Sequence, residues 1–187
     1  MVIKSEHILQ TAAQVLARRP DATLQTIADA AGISRTTIFN RYPTRDDLLN
    51  ALARDTLERV AQVMAWVPHD TNADVGEVLV RITDGLMPLG SRTALLRLSP
   101  DGGSALDAHW ARAATPLALY FASLQTAGHL RSDHPVRWLV ASYVGLVFAA
   151  WDEVSVGELG HVQAVRLVVS TWLQGSTTAA RGEGGVA

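Results

Sequence analysis

The chain has 187 residues, 48% of them hydrophobic and 18% charged, which is enough apolar mass for one ordinary core or for a small module joined to a larger one. Sixteen basic residues against eighteen acidic ones leave a net charge of −2, which excludes a globally basic coat for nucleic acid but not a small basic face. Cysteine is absent, so disulfide scaffolds, thiolate metal clusters and cysteine nucleophiles are excluded, and a reducing cytoplasm fits the composition.

Met1 to Arg19 has neither the apolar run nor the small-residue cleavage site of a signal peptide. Two stretches lack charged side chains. Trp138–Trp151 is too short to span a bilayer, and Ala113–Leu130 is interrupted by Thr115, Pro116, Ser123, Gln125, Thr126 and His129. A spanning helix wants about 20 mostly apolar residues, so the expectation is a soluble protein with no membrane partner.

The periodicity is helical nearly throughout, and it predicts an all-α fold of about nine helices. Ile8, Leu9, Ala12, Val15 and Leu16 share one stripe, and Pro20-Asp21 ends that first helix. Thr23 is placed to cap a short helix through Ala31, with Ile27, Ala28 and Ala31 inward. Gly32 supplies a sharp turn, Ile33 plugs the gap below it, and Ser34 caps a second short helix, Arg35 to Tyr42. Ile38 and Tyr42 lie four apart and face inward. Thr44, followed by Asp46 and Asp47, starts a long helix to about Trp66 that carries Leu48, Leu49, Leu52, Leu57, Val60, Val63 and Met64. Further helices are expected over Asp74–Leu86, Arg92–Leu98, Ser104–Ala127, Pro135–Val154 and Val162–Leu173, with Pro116 marking a kink or a restart. The boundaries drawn are 1–66, 67–175 and a Gly-, Ser-, Thr- and Ala-rich flexible tail, 176–187.

The segment from Thr23 to Leu49 carries the most information. With Ile38 and Tyr42 turned inward, the second short helix presents Arg35, Thr36 and Thr37 at its start and Phe39, Asn40 and Arg41 further along. Two short helices about a glycine turn, the second polar outside, form a helix-turn-helix, and its side chains suit base edges and phosphates. Glycine-linked helical hairpins also occur as plain packing units, so the pattern by itself leaves both readings open.

Ile8 to Arg19 (ILQTAAQVLARR) and Thr26 to Leu49 (TIADAAGISRTTIFNRYPTRDDLL) resemble the DNA-binding domain of the tetracycline-repressor (TetR) family, and the likeness spans residues 4–66. The matching elements are Ile27-Ala28, Gly32-Ile33-Ser34, Ile38-Phe39 and Tyr42-Pro43-Thr44-Arg45-Asp46; Ala127 to Asp133 is similar to a connector common before the eighth helix. The resemblance implies that Arg35, Thr36 and Asn40 read bases and that Thr23, Gln25, Ser34, Thr37, Phe39 and Arg45 lie at or beside the phosphate backbone. Phe39 departs from the family's usual Tyr, which removes one hydroxyl contact to phosphate; Thr44 is expected to offer the free amides of the fourth helix instead. Residues 1–60 carry eight basic and seven acidic side chains, so DNA affinity must come from a local face doubled by dimerisation, with a moderate salt dependence.

The larger part holds Trp110, Tyr120, Phe121, Trp138, Tyr143, Phe148, Trp151 and Trp172. Core packing accounts for any one of them. The resemblance implies a mostly apolar ligand pocket with Trp110, Tyr120, Phe121, Phe148 and Trp151 in its wall; Arg97, His109 and Asp152 are open to two readings, orienting a ligand or standing as solvated surface residues. It also implies a homodimer through helices near 135–154 and 162–173, where Trp138, Ala141, Gly145, Phe148, Val165, Leu167 and Val168 leave little polar face.

No enzyme site emerges. Gly102-Gly103-Ser104-Ala105-Leu106 fails the G-x-S-x-G pattern, no phosphate-binding glycine loop occurs, and His129, Asp133 and His134 are poorly spaced for a metal. The expectation is a cytoplasmic, dimeric transcriptional regulator without cofactor or metal, a repressor released from a palindromic operator by a small, mostly apolar effector. The alternative is a helical ligand-binding or protein-interaction module that has lost specific DNA reading.

Overall fold

A computed structural model describes residues 5–95 and 104–178, the side chains of 94 and 104–110 excepted. Among the described residues the chain forms nine α-helices: α1 Ser5–Arg18, α2 Leu24–Ala30, α3 Arg35–Arg41, α4 Arg45–Met64, α5 Val75–Leu86, α6 Gly90–Ala94, α7 Ser104–Thr126, α8 Val136–Ser155 and α9 His161–Ser176. A 3₁₀ turn, Met87–Leu89, joins α5 to α6. The only β pairing among the described residues is one isolated antiparallel bridge, Leu130 to Thr177. Two compact units result, Met1–Val63 with Pro88–Ala113 and Met64–Met87 with Ala114–Ala187, so α4 and α7 each run from one into the other.

In the first unit the apolar stripe of α1 meets α2, α3 and the start of α4. Ile8, Ala12, Leu16, Ile27, Ala28, Ile38, Leu48 and Leu52 close a dry core, to which Leu95 adds from beyond α6. Each short helix is set by its cap. Thr23 accepts the Thr26 amide at 3.2 Å and Ser34 the Thr37 amide at 3.1 Å, each stabilising its helix by about 1 kcal/mol. At Thr44 the capping is reciprocal: its N–H and Oγ1 both donate to Asp47, whose own amide donates back to Thr44 Oγ1 at 3.1 Å. Between α2 and α3, Gly32 adopts φ +65°, and Ile33 N–H closes onto Ala28 O at 3.0 Å, so the turn the sequence predicts is a left-handed helix stop.

The second unit packs α9 against α5 and α8. Its centre is aromatic. Phe121 of α7 stacks on Trp172 of α9 with ring centroids 4.5 Å apart, and Tyr143 of α8 meets both edge-on. The polar ends of this cluster are paired. Tyr143 OH bonds Thr83 Oγ1 at 2.8 Å while Thr83 itself donates to Leu79 O, and Trp172 Nε1 donates to Leu139 O and Ser142 Oγ. Burial pushes the Tyr143 phenol far above its ordinary value, against the bond to Thr83, so it stays protonated.

Three boundaries differ from the sequence reading. α6 begins two residues before Arg92 and is described only to Ala94; residues 96–100, with Arg97, lie outside the described residues. α7 runs through Pro116 as one helix, without the break considered there. α9 continues to Ser176, which is buried, and Thr177 and Thr178 bond back to Leu173, His129 and Gly128; 179–187 lie outside the described residues.

Candidate nucleic-acid interface

The Ser34 cap and the buried Ile38 and Tyr42 fix which side of α3 faces water. Arg35, Thr36, Thr37, Asn40 and Arg41 are exposed and Phe39 is half-buried. Three of them have intramolecular partners. Arg35 lies over the Phe39 ring, 5.1 Å from its centroid, a cation–π contact that restrains the guanidinium one turn back along the helix. Thr37 Oγ1 shares a hydrogen bond with Ser34 Oγ at 2.8 Å. Arg41 donates to Ser5 of α1. Thr36 and Asn40 stand at the surface between them.

The flanking residues serve local structure as well. Thr23 shares a bond with Thr26 Oγ1 at 3.0 Å, and Gln25 Nε2 donates to Asp29 at 2.7 Å. Arg45 donates to the carbonyls of Pro20 and Ala22, tying the start of α4 to the α1–α2 loop. At the start of α4 the Thr44 amide is taken by the Asp47 carboxylate and the Asp47 amide by Thr44 Oγ1. Tyr42, seated beneath this face, has its phenol pushed above the ordinary range by burial, with Arg41 opposing.

The same unit holds an ion network that sequence reasoning missed. Asp55 of α4 accepts from Arg59 one turn along at 2.9 Å and from Arg92 of α6, and Arg59 reaches Glu6 of α1 at 3.0 Å. Burial pulls the Arg92 guanidinium below the usual arginine value and Asp55 acts against it. Only the i,i+4 pair Asp55–Arg59 had a sequence signal, since Arg92 stands 37 residues from Asp55.

The expected pocket-wall residues fall into two groups. Tyr120 and Phe121 belong to the α7 side of the aromatic core, with Phe121 stacked on Trp172. Phe148 and Trp151 form a separate T-shaped pair, centroids 4.9 Å apart, and Trp151 Nε1 donates to Leu86 O at 3.2 Å. The side chains of Trp110 and His109 lie outside the described residues, and Asp152 is exposed. Asp133 is engaged by two bonds from Arg131, at 3.0 and 2.6 Å.

Known proteins resemble the chain in sequence and fold. Residues 8–52 match the family model described as bacterial regulatory proteins, tetR family. Over 182 residues the chain is 29% identical to the HTH-type transcriptional repressor LfrR of Mycolicibacterium smegmatis, covering 93% of this chain and 90% of that one. It is 24% identical to the HTH-type transcriptional regulator NfxB of Pseudomonas aeruginosa, covering 97% and 98%. The crystal structure of LfrR from Mycobacterium smegmatis in complex with proflavine superposes with a TM-score of 0.73 at 27% identity, over 92% of this chain and 96% of that one. Members of this family are transcription factors rather than enzymes. The chain thus matches the tetR family model over its helix-turn-helix segment and is similar along nearly its whole length to proteins named as transcriptional regulators.

Proposed function

We propose that the chain is a cytoplasmic, homodimeric repressor that binds a palindromic operator and leaves it when a small, mostly apolar effector binds the larger helical unit. The observation that carries this reading is the outward row on α3, held by the Ser34 cap. Arg35, Thr36 and Asn40 are assigned to base edges. Thr23, Gln25, Ser34, Thr37, Phe39 and Arg45 are assigned to the phosphate backbone, where the hydroxyls and Arg45 exchange their internal bonds for phosphate oxygens. Phe39 acts here through Arg35, whose guanidinium it aims.

Dimerisation is supported by apolar surface left over in the second unit. On α8, Trp138 is 61% exposed, and Ala141 and Gly145 continue the same outer stripe; on α9, Val162 and Leu167 are exposed. A two-fold dimer matches a palindromic operator, whose half-sites lie about one turn of duplex DNA, roughly 34 Å, apart. The effector must bind two conformations unequally to release the operator. That LfrR holds proflavine supports a flat effector of that kind, with Tyr120, Phe121, Phe148, Trp151 and Trp110 as candidate contacts.

A gel shift against DNA flanking the protein's own gene tests the reading. A folded dimer that shifts no such fragment at low salt refutes it. Arg35→Ala is expected to cost about 1–3 kcal/mol and to relax preference at one base pair. An equal loss on random DNA would move Arg35 to the phosphates.

A further inference from the structure

α8 carries its charges the wrong way round for a free helix. Arg137 stands in the first turn, where the unpaired amides are positive, and Asp152 and Glu153 stand in the last, where the unpaired carbonyls are negative. Each charge opposes the helix dipole, and a local rule broken at both ends of one element calls for a compensation from elsewhere. Arg137 and Asp152 are exposed, and neither takes part in an ion pair among the described residues.

Between these ends the outer face of α8 is apolar. Trp138–Trp151 holds no charged side chain. Arg137, Ala141, Gly145, Ala149 and Asp152 are exposed along one helical stripe, with Trp138 beside it, 61% exposed. A Cβ added at Gly145 would meet nothing of this chain within 4 Å. Arg137 and Asp152 lie about 22 Å apart along the axis. Their midpoint falls between Val144 and Gly145, which is also the midpoint of the charge-free run.

A face with opposite charges at equal distances from its centre is complementary to itself under a two-fold axis across the helix. Two copies of α8 laid antiparallel on that axis set Arg137 against the partner's Asp152 and Asp152 against the partner's Arg137. Large residues then meet small ones: Phe148 meets the partner's Ala141, and Val144 meets the partner's Gly145. Arg137 also comes to the negative end of the partner's helix, which offsets the penalty at its own. Parallel pairing sets Arg137 on the partner's Arg137 and Asp152 on the partner's Asp152, so the same charges exclude it.

We propose that Arg137 and Asp152 are a recognition pair that selects a second copy of this chain and fixes α8 against the partner's α8 in antiparallel register, centred between Val144 and Gly145. The occupant of this apolar face is the same chain and not a related chain with other charges at these ends. This inference rests on the homodimeric reading above and adds the residues that impose the pairing.

The test reverses each charge in the full chain. Arg137→Asp and Asp152→Arg both put the new charge where the helix dipole favours it, so helicity by circular dichroism is expected to stay or rise. Alone, each sets like charges together at both ends of the pair and is expected to weaken self-association at least about tenfold in sedimentation equilibrium. Mixed in equal amounts, the two variants regain opposite charges at both ends, and native mass spectrometry is expected to find the mixed dimer above the statistical share. The double variant R137D/D152R restores opposite charges within one sequence and is expected to self-associate within about threefold of the parent. Single variants that dimerise like the parent, a mixture with no more than the statistical share of mixed dimer, or a double variant no better than the singles would each overturn the proposal. If a single variant fails to fold, the double variant decides. A monomeric parent refutes the homodimer reading as well; a dimeric parent whose single variants are unaffected refutes this inference alone.

Discussion

Replacing Asp55 by Asn isolates the ion network within the first unit. In the native chain the Arg92 side chain is 9% exposed and has Asp55 as its only ion-pair partner among the described residues. Asn keeps the size of Asp55 but not its charge. Breaking a fully buried pair by removing one partner costs about 3–5 kcal/mol, and an exposed pair is worth under about 1 kcal/mol. Asp55 itself is 24% exposed, and Arg59 keeps Glu6, so the cost falls between, at about 2–3 kcal/mol. With a urea slope of about 2 kcal/mol per M, the midpoint followed by circular dichroism drops by about 1–1.5 M. Arg92→Met alone should cost under about 1 kcal/mol, because Asp55 retains Arg59, and adding it to Asp55→Asn should recover most of the loss. Two single losses that simply add in the double variant would refute the argument, since the penalty is then not an uncompensated buried charge.

The Tyr143–Thr83 bond makes a second cycle. Thr83→Val strands a fully buried phenol and should cost about 1–3 kcal/mol, whereas Thr83→Val with Tyr143→Phe should come back to within about 1 kcal/mol of the parent in the same melts. Trp138→Asp puts charge on the outer stripe of α8 and is expected to give monomers by sedimentation with helicity retained; an intact dimer would move the interface elsewhere. The Arg131 bonds hold the Asp133 carboxyl at about 2, so an NMR titration should find it there and find it back in the ordinary carboxylate range in Arg131→Ala. Because the folded value is depressed, the pair's contribution is present above the unfolded carboxylate value and is lost as pH falls through about 2.

Much of the fold could be read directly from the chain, because its determinants are local. The stripe Ile8, Leu9, Ala12, Leu16 sets α1, and Thr23, Ser34 and Thr44 each set a helix start by closing a bond within three residues. Gly32 sets the turn because a left-handed backbone suits little else. The same locality makes the outer row of α3 readable, since burying Ile38 and Tyr42 leaves only one side for Arg35, Thr36 and Asn40.

Other features depend on residues far apart in sequence and have no local signal. That Arg45 reaches the Pro20 and Ala22 carbonyls and that Arg92 returns to Asp55 are outcomes of where helices land. The aromatics show the limit most plainly. Composition lists them alike, yet packing puts Phe121 flat on Trp172, pairs Phe148 with Trp151 and leaves Trp138 in water. A Tyr in a sequence carries a hydroxyl in every case. Whether that hydroxyl finds Thr83, as in Tyr143, or no partner among the described residues, as in Tyr120, is decided only by tertiary packing, because a hydrogen bond is a matter of ångströms and not of sequence spacing.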